Sequence, residues 1–369
     1  MGVEQRAPEN IRSLATYVPG KPISELARES GLSAGEIVKL ASNENPLGMS
    51  PMARRAMQEA VHGLSLYPDG NAQVLKEVVG RHHGVPDDCI VVGNGSNDVL
   101  ELVARTFLSQ GSSAVHSEHA FAVYPIAIRA AGARCIEVPS RNFGHDLAAM
   151  ADAVAPDTRV VFIANPNNPT GSFLPGPMVE QFLARVERDV VVVLDEAYCQ
   201  YLPSALAYDS VSWLERHPNL VITRTFSKIF GMAGLRVGYA LCHPEVADLM
   251  NRVRQPFNVN SLAQAAACGA LADEEFVARS AQINREGMKD LEEGLRRLGL
   301  RVLPSCANFL CFRAGCAEAI NRALLKDGVI VRPLASYGMP EWLRVTIGLP
   351  SENERFLASL SAALKGHDV

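Results

Sequence analysis

Between about residues 89 and 254, short apolar runs alternate with stretches whose apolar residues recur at helical intervals. Residues 89–92 read as a strand. A glycine turn follows, then a helix over about 98–108, marked by Val99, Leu100, Leu102, Val103 and Phe107. Further strand-like runs fall at 113–116, 134–138, 159–164, 190–195, 220–223 and 237–242, and helical patterns over 122–131, 177–188 and 244–254 separate several of them. Continuous apolar strands alternating with helices predict an α/β fold whose large domain holds a mostly parallel sheet covered on both faces. After about Pro256 the texture changes: one long helical stretch over 262–298, strands near 307–312 and 342–347, and a last helix over 351–364. The expected division is a large domain over 45–255 and a smaller α+β domain made of 1–44 and 256–369.

Composition narrows the class. A chain of 369 residues with 48% hydrophobic content can build a sizeable core. Its net charge is −5, its pI is about 6.0, and it has no basic run, which argues against nucleic acid or an anionic membrane as partner. The most apolar run, Val190 to Leu194, is far too short to span a bilayer. Glu4 and Glu9 occupy an N-terminus without an apolar h-region, so a cytoplasmic location is expected. The eight cysteines are scattered through apolar segments with no Cys-x-x-Cys, predicting buried free thiols and no metal site.

Four constellations carry chemistry. Gly93-Asn-Gly-Ser-Asn-Asp98 joins a strand to a helix, where Ser96 and Asn97 are expected to cap the helix while backbone N–H groups face an anion. Its third position is Asp98, so it lacks the dinucleotide fingerprint. Asn165-Pro-Asn-Asn-Pro-Thr-Gly171 follows a strand directly. Its prolines predict a rigid loop with amides pointing out at the C-terminal sheet edge, where ligands bind in open α/β sheets. Leu194-Asp-Glu-Ala-Tyr198 closes the most apolar strand, and a buried Asp195 there needs a cation or a ring nitrogen. Finally, Thr223-Arg-Thr-Phe-Ser-Lys-Ile-Phe-Gly-Met-Ala-Gly-Leu-Arg236 offers Ser227 and Arg236 to a phosphate and leaves Lys228 free as an amine.

Together the four suit one cofactor, pyridoxal 5′-phosphate. It has a phosphate for the glycine turn, Ser227 and Arg236, a pyridine nitrogen for Asp195, a phenolic oxygen for Asn168 and Tyr198, and an aldehyde for Lys228. At these residues the chain resembles the fold-type I pyridoxal-phosphate-dependent aminotransferases, and more closely the histidinol-phosphate aminotransferases, from about Tyr17 to Ile347. The Asn-Pro-Asn-Asn-Pro-Thr-Gly, Asp-Glu-Ala-Tyr and Ser-Lys-x-x-Gly-x-x-Gly-x-Arg segments, in that order, carry the first resemblance. The closer one adds Tyr17-Val-Pro-Gly-Lys-Pro, Leu40-Ala-Ser-Asn-Glu-Asn-Pro46, Tyr67-Pro-Asp-Gly70 and Leu343-Arg-Val-Thr-Ile-Gly348.

The resemblance implies that Lys228 anchors the cofactor covalently and later moves the proton. It implies Asp195 at the ring nitrogen, Asn168 and Tyr198 at the 3′ oxygen, and Phe121 stacked on the ring where relatives usually carry tyrosine. Gly95, Ser96, Asn97, Ser227 and Arg236 would bind the cofactor phosphate, with Thr225 beside them. Many relatives have aspartate where this chain has Asn97. Tyr67 would reach the cofactor of the neighbouring subunit in a homodimer with shared sites. Arg344, with Arg332 and Tyr17 nearby, would bind the anionic end of the donor, and 2-oxoglutarate would take the amino group. An aromatic amino-acid aminotransferase and a threonine-phosphate decarboxylase use the same scaffold and remain alternatives. A regulator that binds the cofactor without turnover would be expected to carry a DNA-binding domain, and only about 40 residues precede Asn43-Glu-Asn-Pro46.

Overall fold

Alternation of inward and outward side chains along the strand runs builds a sheet with two buried faces. The computed structural model describes residues 2–366; Met1 and residues 367–369, the ends of the expected small domain, lie outside the described residues. The strands are β1 (Val38–Lys39), β2 (Ile90–Gly93), β3 (Ser113–Ser117), β4 (Arg134–Val138), β5 (Thr158–Ala164), β6 (Val191–Asp195), β7 (Leu220–Thr225) and β8 (Gly238–Cys242), followed by β9 (Arg301–Val302), β10 (Phe309–Arg313), β11 (Val329–Ile330), β12 (Arg332–Pro333) and β13 (Trp342–Thr346). Seven of them form the central sheet in the order β2-β8-β7-β6-β5-β3-β4. All neighbours pair in parallel except β8, which is antiparallel to both β2 and β7.

Period-two alternation assigns Val161, Ile163, Val192, Leu194 and Ile222 to one face and Val160, Phe162, Val191, Val193 and Val221 to the other. Both faces are covered, so all five residues of β6 are buried. Burying each such aliphatic side chain contributes about 1.5–3 kcal/mol. The C-terminal ends of β5, β6 and β7 open on the same side as the N-terminus of the helix Ser96–Phe107.

A second, antiparallel sheet runs β12-β13-β10-β9 and packs on the helices Glu274–Arg297 and Pro350–Lys365. Strand β1 pairs in parallel with β11, and Leu40 O accepts from Thr346 N at 2.8 Å, so the N-terminal segment runs into this part of the molecule.

The long helical stretch expected over 262–298 is two helices, Ser261–Leu271 and Glu274–Arg297. Asp273 breaks it. Its Oδ1 accepts from Phe276 N at 3.2 Å as an N-cap, and its Oδ2 accepts from the Ser50 hydroxyl. Apolar periodicity continues through the break because both helices bury one face, so spacing alone does not reveal it. All eight cysteines are free, but only Cys242 and Cys311 are buried and Cys316 is exposed, which corrects the expectation of uniformly buried thiols. Among the described residues no helix is long and apolar enough to cross a membrane.

Candidate active site

The ends of β5, β6 and β7, the turn before Ser96, and the N-terminal segment 41–44 enclose a cleft of about 250 Å³. Lys228 lies three residues past β7 and reaches into it, its Nζ donating to Ser42 O at 3.1 Å and lying 5.7 Å from the Tyr198 ring centroid. Burial, reinforced by the charge of Arg344, lowers its pKa from 10.5 to about 8. A lysine there is a neutral amine far more often near physiological pH than an exposed one, and that is the form that attacks carbonyls and accepts protons.

Asp195 ends β6 and is 5% exposed. Tyr124, on the helix Val123–Ala130, donates its hydroxyl to Oδ2 at 2.8 Å, and the Thr223 hydroxyl donates to Oδ1 at 3.0 Å. Burial pushes the Asp195 carboxyl up, and these two donors pull it back. Neither Tyr124 nor Thr223 was expected at the site. The available signal is a tyrosine three residues after Phe121 in a mostly apolar helix.

The glycine turn departs from expectation in one respect. The N-cap of the helix Ser96–Phe107 is Gly95, at φ 86°, with no side-chain cap, so neither Ser96 nor Asn97 caps it. Its first N–H groups are left for a ligand. A Cβ at Gly95 would collide with the Arg236 guanidinium, which packs directly over the turn. Arg236 itself sits at φ 58° and donates from Nη1 to Ser227 Oγ at 3.1 Å, while Ser227 N donates to Thr225 Oγ1 at 3.1 Å.

The asparagine loop is also only partly as expected. Asn165 and Asn167 are buried and turn inward. The Asn165 amide bonds the Leu174 backbone in both directions, and Asn167 Nδ2 donates to His119 O at 2.9 Å. Only Asn168 lines the cleft, where its Oδ1 accepts from Arg344 Nη1. Both X-Pro bonds of the loop, Asn165–Pro166 and Asn168–Pro169, are cis.

Opposite stands the far wall. Arg332 on β12 and Arg344 on β13 are direct cross-strand partners, 7% and 5% exposed. Arg344 Nη2 donates to Ala41 O at 2.9 Å, and Arg332 Nη2 to Val18 O at 2.8 Å, with the Tyr17 ring 5.6 Å from its Cζ. Asn43, at φ 57°, donates from Nδ2 to Tyr198 Oη at 2.9 Å, and burial raises the Tyr198 phenol to about 12. Asn43 lies in a segment whose spacing marked it as informative without giving it a job.

Thirteen of the fifteen expected site residues therefore line one cleft, from Tyr17, Ser96, Asn97 and Phe121 through Asn168, Asp195, Tyr198, Thr225, Ser227, Lys228 and Arg236 to Arg332 and Arg344. Gly95 lies just behind Arg236. Tyr67 is elsewhere: it is 83% exposed and stacks on Phe257, ring centroids 4.8 Å apart.

An amine lysine, a buried carboxylate held by two hydroxyls and an anion cradle on a strand-to-helix turn define a carbonyl-chemistry site on a mostly parallel sheet. The chain belongs to the aminotransferase class I and II family, whose model matches residues 35–360. It is 61% identical to histidinol-phosphate aminotransferase 2 of Nitrosospira multiformis over 99% of this chain and 93% of that one. It is 58% identical to histidinol-phosphate aminotransferase 1 of Dechloromonas aromatica over 99% and 100%. Among solved structures, histidinol-phosphate aminotransferase from Sinorhizobium meliloti in complex with pyridoxal-5′-phosphate superposes with a TM-score of 0.90 at 28% identity, covering 98% of both chains.

Proposed function

We propose that the chain is a pyridoxal-phosphate enzyme that transfers the amino group of histidinol phosphate to 2-oxoglutarate, giving imidazole-acetol phosphate and glutamate in histidine biosynthesis. The observation that carries the donor is the pair Arg332 and Arg344, set side by side on β12 and β13 with Tyr17 against the first. Two buried guanidiniums and a phenol suit a doubly charged phosphate, which arginine holds through paired N–H groups. The relatives at 54–61% identity, all named histidinol-phosphate aminotransferase, support the same reading.

The residues fit the cofactor. The uncapped helix N-terminus, the space that the missing Gly95 side chain leaves for Arg236, and the Ser227 hydroxyl would hold its phosphate. Asp195 would hold the ring nitrogen, Asn168 and Tyr198 the 3′ oxygen, Phe121 one ring face, and Lys228 the aldehyde carbon. When bound, the cofactor supplies an electron sink conjugated to the reacting carbon.

Lys228 does the proton work. With its pKa near 8, Nζ takes the proton from the donor carbon and carries it to the acceptor position, as base and then acid. The Tyr124 and Thr223 hydroxyls oppose the effect of burial on Asp195, and its carboxylate would favour a protonated ring nitrogen. Arg332 and Arg344 fix the anionic end of the donor so that its reacting carbon meets Lys228.

The working form is a cytoplasmic homodimer. Exposed Tyr67 has no role in its own cleft, which suits a contact with the cofactor phosphate of the neighbouring subunit. The large domain is assigned to 45–255 and the small domain to the remainder.

Rates with histidinol phosphate, phenylalanine and threonine phosphate as donors test the assignment. A preference for histidinol phosphate of a hundredfold or more, on the order of what buried polar complementarity gives, is expected. Equal or better turnover of phenylalanine, or carbon dioxide release from threonine phosphate, would overturn it.

A further inference from the structure

The cleft is lined by four basic side chains, Lys228, Arg236, Arg332 and Arg344, and by two carboxylic acids, Asp195 and Glu44. Each basic residue has an assignment, and so does Asp195, both of whose oxygens already accept from hydroxyls. Glu44 has none. It stands in the wall segment two residues after Ser42, whose carbonyl accepts from Lys228. Its Oε1 accepts from Lys39 Nζ at 2.7 Å, while Oε2 has no hydrogen-bond partner among the described residues. Its charge acts on the cleft interior, since it is the foremost influence holding the pKa of Lys228 up against burial.

We propose that Glu44 is the specificity-determining residue for the imidazole of the donor, its free carboxylate oxygen accepting the ring N–H. The inference rests on the donor assigned above. Histidinol phosphate presents three features to the protein: a phosphate, an amine and an imidazole. The arginine pair takes the first and the reacting centre the second. The third is an N–H donor and becomes a cation around pH 6.5, so it calls for an acceptor that carries negative charge. Glu44 supplies the carboxylate left over in this cleft. A charge-assisted bond there is roughly twice as strong as a neutral one. The same carboxylate repels the second carboxylate of glutamate or 2-oxoglutarate, and the Lys39 ammonium partly compensates it when such a substrate is bound.

A merely structural Glu44, holding Lys39 and nothing else, would affect all substrates alike. The test therefore compares substrates in the holoenzyme. Single half-reactions, read at the cofactor absorbance, are titrated with histidinol phosphate and with phenylalaninol phosphate, which replaces the imidazole by a phenyl ring without an N–H. A parallel titration with 2-oxoglutarate uses the aminated form. In Glu44→Gln, whose amide oxygen still accepts but carries no charge, the apparent Kd for histidinol phosphate is expected to rise about tenfold, the difference between a charge-assisted and a neutral hydrogen bond. That for phenylalaninol phosphate should move less than about twofold, and that for 2-oxoglutarate should fall. Glu44→Asp, which keeps the charge, should recover part of the imidazole preference. Parallel losses for all three ligands, or an unchanged ratio between the two donors, would overturn the proposal. If the wild-type enzyme does not react with histidinol phosphate, the donor assignment falls first and this inference with it.

Discussion

The Tyr124 hydroxyl donates to Asp195 Oδ2 at 2.8 Å, and it does so from a completely buried position. Burial raises the Asp195 pKa and this bond lowers it, so removing the hydroxyl raises it further. Tyr124→Phe is expected to leave more of Asp195 protonated at neutral pH and to weaken its grip on the ring nitrogen. The mutant should show kcat lowered at least about tenfold, consistent with roughly 1.5–3 kcal/mol for one hydrogen bond to a charged group. The deficit should be partly relieved as pH rises, because a carboxyl with a raised pKa ionises at higher pH. Steady-state rates between pH 6 and 9 check both the size and the slope.

Lys228 sets a second pH dependence. Only a neutral amine can attack an aldehyde, and a folded pKa of about 8 for Lys228 means that its neutral fraction rises with pH through that value. The rate at which apoenzyme takes up pyridoxal phosphate, followed by absorbance near the visible edge, should therefore climb with a midpoint near pH 8 and level about one unit above it. Lys228→Ala should abolish both this absorbance and turnover; an unchanged spectrum would sink the assignment.

Gly95 has two reasons to be glycine. Its φ of 86° and ψ of 165° fall in a region that other residues adopt only at a cost of order 1–3 kcal/mol, and its missing Cβ makes room for Arg236. Gly95→Ala should fold, with a lower Tm, and hold pyridoxal phosphate at least about tenfold more weakly, since Arg236 is displaced from the phosphate cradle. Equilibrium dialysis of the cofactor against both proteins measures this.

Arg344 is fixed by Asn168 Oδ1 on one side and Ala41 O on the other. Arg344→Lys keeps the charge but cannot span both acceptors and still present two N–H groups to an anion. The expected result is a KM for histidinol phosphate raised about thirtyfold or more, given about 2 kcal/mol or more for a buried charged contact. Arg332→Ala should act in the same direction through the phosphate. Initial rates over a donor series give both values.

Much of the central sheet is legible in the sequence because its strands are buried on both faces and read as unbroken apolar runs. The C-terminal part is less so. The pairs β1 with β11 and β12 with β13 are two residues long on at least one side, too short for periodicity to register. At the break, Asp273 also accepts from a hydroxyl 223 residues away, a contact that local spacing does not carry. At the site, Lys228, Asp195 and Arg236 announce themselves through dense local motifs. Tyr124, Thr223 and Asn43 do not, because each acts on a partner distant in sequence: Tyr124 lies 71 residues from Asp195 and Asn43 lies 155 from Tyr198. The inward turn of Asn165 and Asn167 was hidden for the same reason, since a motif gives spacing and not the direction of an amide.

Residues 40, 41, 42, 43 and 45 bond in turn to Thr346, Arg344, Lys228, Tyr198 and the Ile229 carbonyl. Three of these contacts are made by the backbone carbonyls of Leu40, Ala41 and Ser42, which no side-chain substitution removes. Drift in the amino acids at 40–42 is therefore buffered, while an insertion or deletion of one residue would move the partners Arg344, Lys228 and Tyr198 out of register at once. Changing what this enzyme accepts is thus a matter of substitutions along a segment of fixed length, and homologous scaffolds that differ in length here should not exchange it as a module.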